Sequence, residues 1–217
     1  MTEHTTLRRG RPGYDPQRIL EIAVDAFNEH GYDATSMGAL AARLGLSKSA
    51  IYHHFSSKDE LLERALDEAL DGLEGVLRET DVAPDRPAAD RLDDVLRGAV
   101  RVLVDRLPYV TLLLRVRGNT EVERSALARR RAFDRAVTAL VMDAQREGSV
   151  RADIDAAVVA RLLFGMINSI VEWYRPGGHE GRDRLADDVV AVALDGLRIR
   201  GEERAARSRG RAQHSAE

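Results

Sequence analysis

The chain has 217 residues, 44% of them hydrophobic and 32% charged, with a formal net charge of −3. This length supports one or two small domains with a real core, and the near-balanced charge excludes a global positive field that would draw in nucleic acid. No cysteine is present, which excludes a disulfide framework, a thiolate nucleophile and a Cys-based zinc site; with no signal-like apolar core at the start and no uninterrupted apolar run of spanning length, a cytoplasmic protein without a membrane partner is expected.

Residues 1–13 are polar and set Arg8, Arg9 and Arg11 among Gly10, Pro12 and Gly13. They read as a flexible basic arm that can lie along phosphates or enter a minor groove when DNA is bound. Asp15 as N-cap and Pro16 in the first turn open helix one. Its apolar stripe is Ile19, Ile22, Ala23, Ala26 and Phe27, and Gly31 ends it.

The next stretch, 35–55, is TSMGALAARLGLSKSAIYHHF. Met37, Leu40, Ala41 and Leu44 recur at helical spacing. Thr35 or Ser36 is placed to cap that helix, and Gly45 to close it in the left-handed conformation. Leu46 fills the corner and Ser47 caps a third helix. Ile51, His54 and Phe55 share the inner face of that helix, so His54 is expected to pack. Lys48, Ser49, Tyr52 and His53 share the outer face. Two short helices joined by a three-residue turn containing glycine make a helix-turn-helix. The chain's only lysines, Lys48 and Lys58, flank its second helix. Residues 1–60 nevertheless hold seven Lys/Arg against eight Asp/Glu, so DNA affinity must come from local placement. The expected DNA-contacting set is Ser36, Ser47, Lys48, Ser49, Tyr52, His53 and Lys58. Lys48 and Ser49 approach base edges, with Ser47 beside them, while Tyr52, His53 and Lys58 hold phosphates.

Ser57-Lys58-Asp59-Glu60 carries a capping-box pattern and starts helix four, whose stripe runs from Leu61 to Leu77. At this point the run GYDATSMGALAARLGLSKSAIYHHFSSKDELLERAL, within residues 15–66, resembles the N-terminal domain of the TetR/AcrR family of transcriptional regulators. The resemblance implies a three-helix DNA-binding domain, a helical ligand-binding and dimerisation domain behind it, and a fourth helix bridging the two.

Residues 80–87, TDVAPDRP, read as a loop. Helix five is expected over 88–106, a short helix six after Pro108, and helix seven over 121–147, stopped by Gly148. Helix eight, 155–174, is the most apolar, with a stripe too wide for one face. A last amphipathic helix is expected over 184–198, followed by a disordered tail at 201–217. The reading is all-α, with about nine helices: a helix-turn-helix domain at 14–56 and a ligand-binding and dimerisation domain at 57–200.

One reading helix covers too few base pairs for a specific site. A homodimer presenting two heads about 34–36 Å apart to a palindromic double-stranded operator answers this. Its interface is expected on helices eight and nine, at Val159, Leu163, Ile170, Val189, Val192, Ala193 and Leu197. A ligand cavity is expected between helices five and eight. Its apolar walls are Leu103, Leu112, Leu113, Phe133, Val137, Phe164, Ile167 and Trp173, with Asn168, Arg115, Arg117 and Arg175 as polar anchors.

The end of helix seven, REGSVRADID, and the closing WYRPGG of helix eight resemble TetR-family regulators of fatty-acid, aromatic-acid and steroid breakdown. That resemblance implies an acyl-CoA thioester as effector, and no cofactor. A drug- or antibiotic-responsive repressor of an efflux gene is the alternative, and a helical-bundle enzyme or carrier acting on acyl thioesters is the rival class. Against an enzyme, the six histidines form no HExxH pair, and no GxSxG, P-loop or GxGxxG is present. Neither catalytic nor metal-binding residues are expected.

Overall fold

The structure, a computed structural model, describes residues 15–178, 181–195 and 197. The basic arm expected at 1–13, the tail expected at 201–217 and the expected end of helix nine at Arg198 lie outside them. Among the described residues the fold is all-α, without a strand: α1 (Pro16–His30), α2 (Met37–Leu44), α3 (Lys48–Tyr52), α4 (Lys58–Asp81), α5 (Ala88–Asp105), α6 (Leu107–Arg115), α7 (Glu121–Arg146), α8 (Ala156–Trp173) and α9 (Arg182–Asp195). The chain divides into two compact units between Ala65 and Leu66, a position inside α4.

In the first unit the local signals become geometry. The Asp15 carboxylate accepts from the Gln17 N–H at 3.2 Å, and Pro16 occupies the first turn of α1. Ser36 Oγ accepts from the Ala39 N–H at 3.1 Å and caps α2, while the Thr35 hydroxyl turns inward and donates to the Gly31 carbonyl at 2.8 Å. Gly45, at φ 64°, donates to Ala42 O and Leu46 donates to Ala41 O. This pair of bonds satisfies the last carbonyls of α2 as the chain reverses. Ile19, Val24, Phe27, Leu40, Ile51, Leu61 and Leu62 are fully buried. At roughly 1.5–3 kcal/mol each, such side chains hold the short α2 and α3, which would not persist as isolated helices.

Glu60 departs slightly from the expected capping box. Ser57 Oγ accepts from the Glu60 N–H at 3.0 Å, but the Glu60 carboxylate reaches one residue further back, accepting from the Ser56 N–H and hydroxyl at 2.6 and 2.7 Å. The hydroxyl and then the backbone bond hold this carboxyl below its usual range.

In the second unit α5 is central, packed against α6, α7, α8 and α9, with Leu92, Val95, Leu96, Val100 and Leu103 buried. Two glycines let α4 and α5 approach closely. A Cβ on Gly72 would lie 2.9 Å from Val102 Cγ1, and one on Gly98 would lie 2.5 Å from Val76 Cγ1. Each helix therefore seats a valine in the other's notch.

Arg129 of α7 grips α4 through three carboxylates: Asp67 and Glu74 at 2.7 Å and Asp71 at 2.5 Å. The Glu74 and Asp71 bonds keep its guanidinium fully charged by pushing its pKa up. Arg97 and Arg101 of α5 pair with Asp187 and Asp183 of α9, and Arg182 returns the contact to Asp105. This ladder fixes the rotation of α9 on α5.

Three boundaries differ from the sequence expectation. α4 runs through to Asp81 because the Thr80 hydroxyl, buried at the expected loop start, donates to the Val76 carbonyl within the helix at 2.9 Å. α9 begins two residues earlier, at Arg182. α8 stops at Trp173, and the Tyr174 N–H bonds to Ile170 O. By length and composition α8 is apolar enough to cross a membrane. Here its face of Val159, Leu163, Ile167 and Ile170 is buried and the helix packs on α7.

Candidate DNA-reading surface and ligand cavity

α3 begins at Lys48, and every outer-face residue proposed from the sequence is exposed: Ser47, Lys48, Ser49, Tyr52 and His53. Ser47 Oγ caps the helix by accepting from the Ala50 N–H at 3.2 Å and lies 2.9 Å from Ser49 Oγ. The two hydroxyls thus form a preset pair at the helix start. The Lys48 stem crosses α2 at Gly38, where a Cβ would lie 2.9 Å from Lys48 Cε. The missing side chain gives the lysine a defined path to the front of the domain. Tyr52 is 49% exposed. Donors of this kind on one exposed helical face can reach base edges and phosphates together.

Two residues are placed otherwise than the sequence implied. Lys58 does not extend outward: its ammonium donates to the Tyr32 and Thr35 carbonyls at 2.9 and 3.0 Å and sits 4.1 Å from the Tyr32 ring centre. Carbonyls and a π-face hold the ammonium and tie the start of α4 to the loop before α2, a structural clamp where the sequence reading expected a phosphate contact. His54 is exposed rather than packed, because α3 ends at Tyr52 and the helical phase no longer turns it inward. Its ring meets that of His53 edge-on at 5.1 Å, so the two imidazoles form a pair instead of diverging.

In the second unit a small apolar cavity of about 30 Å³ lies among α4 to α8. Of the expected lining residues, Leu103, Leu113, Phe133, Phe164, Ile167 and Asn168 face it, together with Leu73, Ala99, Val110 and Leu114. Leu112 and Val137 are buried but point into the core rather than the cavity. Trp173 is 49% exposed. Arg115, Arg117 and Arg175 are exposed and line neither space; Arg175 instead donates to the Tyr174 and Glu172 carbonyls at the end of α8.

The polar side of the site lies elsewhere. A groove of about 600 Å³ runs between α7 and α8, lined by Arg130, Arg131, Asp134, Arg135, Thr138, Arg161, Gly165 and Asn168. Arg130, Asp134, Phe164 and Asn168 border both groove and cavity, and the Phe133 and Phe164 rings meet edge-on at 5.2 Å. Arginines elsewhere are commonly matched to carboxylates, as Arg43 is to Glu29 and Arg101 to Asp183. Among the described residues, Arg130, Arg131, Arg135 and Arg161 make no such ion pair. Four guanidinium groups thus face one carboxylate, Asp134. Its side chain reaches solvent, yet the crowding helices desolvate it enough to raise its pKa, against the opposing pull of Arg130 and Arg135. The run Arg129-Arg130-Arg131, with Arg135 one turn on, carried the signal for this groove in the sequence.

Most residues assigned to a dimer interface are turned inward. Val159, Leu163, Ile170 and Val189 are buried in the protomer. Leu197 packs on the small cluster of Ala88, Ala144 and Val150, and Ala193 is half-buried. Only Val192, 71% exposed, offers the expected surface. The exposed apolar face of α8 is instead Val158, Leu162 and Trp173, with Leu162 66% exposed. The helix has two apolar faces, and the core takes the one that the sequence reading gave to a partner.

Comparison with known proteins agrees with this architecture. Residues 19–65 match the tetR family of bacterial regulatory proteins, and residues 85–197 match the tetracyclin repressor-like C-terminal domain. The crystal structure of SCO3833, a TetR-family regulator from Streptomyces coelicolor A3, is 54% identical, with a TM-score of 0.77 over 83% of this chain and 91% of that one. The transcriptional repressor KstR2 of Rhodococcus jostii is 29% identical over 82% of this chain and 89% of its own length. AibR, solved with isovaleryl coenzyme A and operator DNA, is 26% identical with a TM-score of 0.68, over 82% of this chain and 97% of that one. With its helix-turn-helix and its C-terminal helical domain both matched, the chain belongs to the TetR family of transcriptional regulators.

Proposed function

We propose that this regulator is a homodimeric repressor that holds a palindromic operator through α2 and α3 and releases it when an acyl-CoA thioester fills the groove and cavity of the second unit. The observation that carries the effector is the cluster of Arg130, Arg131, Arg135 and Arg161, unmatched by carboxylates among the described residues, beside an apolar cavity. A ligand suited to both spaces is polyanionic at one end and apolar at the other. Arginine binds phosphate with paired, charge-assisted hydrogen bonds, and a neutral or cationic drug would leave the four guanidinium groups unanswered. AibR, which carries isovaleryl coenzyme A, supplies a relative with such a ligand.

Dimerisation rests on Val158, Leu162 and Trp173 of α8 and Val192 of α9, whose exposure is the kind of apolar surface that marks an interface. Two copies meeting about a two-fold axis form a four-helix contact. Release follows from linkage: a ligand that fits only a state with mis-spaced heads weakens DNA binding by its differential affinity. A hundredfold effect needs about 2.7 kcal/mol of coupling.

The test is fluorescence anisotropy with the duplex flanking the encoding gene. Specific retention, lost on adding an acyl-CoA, is the expected result. Retention that ignores the thioester contradicts the effector, and thioester turnover without DNA retention supports the enzyme or carrier. In the same assay Lys48→Ala should weaken retention by roughly tenfold to a hundredfold through its base contact, whereas Lys58→Ala should act mainly by lowering the melting temperature.

Asp134 gives a pH test. Protonation removes the groove's one negative charge, so thioester binding should tighten as pH falls through its raised pKa. Asp134→Asn should tighten binding several-fold at neutral pH and flatten that dependence in isothermal titration. An unchanged pH profile in the variant would remove Asp134 from the ligand's surroundings.

A further inference from the structure

The two spaces differ greatly in size, and that difference speaks to the acyl group. The groove, at about 600 Å³, is ligand-sized. The apolar cavity beyond it, at about 30 Å³, is far below the roughly 150 Å³ that accepts a benzene ring. Its walls do not yield easily. Leu103, Leu113, Phe133 and Ile167 are at most 3% exposed and belong to a close-packed interior, where a displaced side chain must displace its neighbours. The Phe133–Phe164 pair stands where groove meets cavity, with Phe164 bordering both spaces and Phe133 lining the cavity.

Resting on the acyl-CoA reading above, we propose that this protein is selective for the shortest acyl groups, about three carbons or fewer with the thioester carbonyl held at the mouth of the cavity, and that Phe133 and Phe164 set the limit. The arginine groove takes the phosphates that all CoA thioesters share and does not discriminate among them. Discrimination falls to the cavity, where a chain too long for the space must leave apolar carbons in water or force the ring pair apart. A polycyclic acyl group meets the same obstacle at its first ring.

Isothermal titration of the full chain with free CoA and with acetyl-, propionyl-, octanoyl- and palmitoyl-CoA tests this. The two short esters should bind more tightly than free CoA, and the octanoyl and palmitoyl esters should bind weaker than the short ones by about tenfold or more. Phe164 is only half-buried, so Phe164→Ala should fold; it should bring the octanoyl ester level with the short ones. Leu73→Ala, on the opposite, half-buried wall, should shift the preference the same way, with melting curves confirming that both variants are folded. Octanoyl- or palmitoyl-CoA binding as tightly as the short esters overturns the length limit and leaves the acyl-CoA reading standing. Free CoA binding as tightly as its thioesters also overturns the limit, because the cavity is then unused. Failure of every CoA species to bind overturns the acyl-CoA reading, and the length limit with it.

Discussion

Leu162→Glu should convert a dimer to a monomer and weaken operator binding by about a hundredfold or more. Leu162 is 66% exposed in the protomer, so the change costs the fold little. In a two-fold interface each substitution is made twice, once on each side of the axis. Two carboxylates then enter the proposed apolar contact of Val158, Leu162 and Trp173. The effective penalty for an unpaired buried ion is several kcal/mol, more than the roughly 2.7 kcal/mol that a hundredfold change requires. Light scattering on a sizing column should give the mass of a single chain for the variant, with helical content unchanged. A variant that keeps the mass of two chains would place the contact elsewhere on the surface.

Reversing Arg135 and Arg161 to Glu together should abolish thioester binding while leaving operator retention intact. Each charge-assisted bond to a phosphate contributes about 1.5–3 kcal/mol, so losing two costs roughly a hundredfold to ten-thousandfold in affinity, before repulsion is added. Both side chains are exposed and make no ion pair with a carboxylate among the described residues, so the reversal breaks no such pair within the fold. The double variant should remain on DNA at thioester concentrations that release the parent protein. If it released DNA normally, the groove would not be the phosphate site.

What the sequence disclosed follows from the range of the interactions involved. Caps and closures are local, and so Asp15, Ser36, Gly45 and Ser47 were legible from residues a few positions away. The outer face of α3 was legible for the same reason. Lys58 was not, because its partners, the Tyr32 and Thr35 carbonyls, lie more than twenty residues back and no periodicity announces a backbone acceptor. The two apolar faces of α8 could be recognised but not assigned. Period alone gives no reason to bury Val159 and Leu163 rather than Val158 and Leu162, and packing against α7 decides it. The arginine-lined groove needed both Arg135 and Arg161, on helices whose neighbourhood only the fold reveals. Arg129 shows the same limit, since it stands next to Arg130 in the chain yet spends its charge on α4.

Native mass spectrometry of the full chain with the duplex flanking its gene, before and after adding propionyl-CoA, tests the central claim most directly. Two protein chains on one duplex should be seen first, and thioester-loaded dimers separate from free DNA afterwards. A single chain on the duplex, or a complex that binds the thioester and keeps its DNA, would contradict a dimeric repressor released by an acyl-CoA.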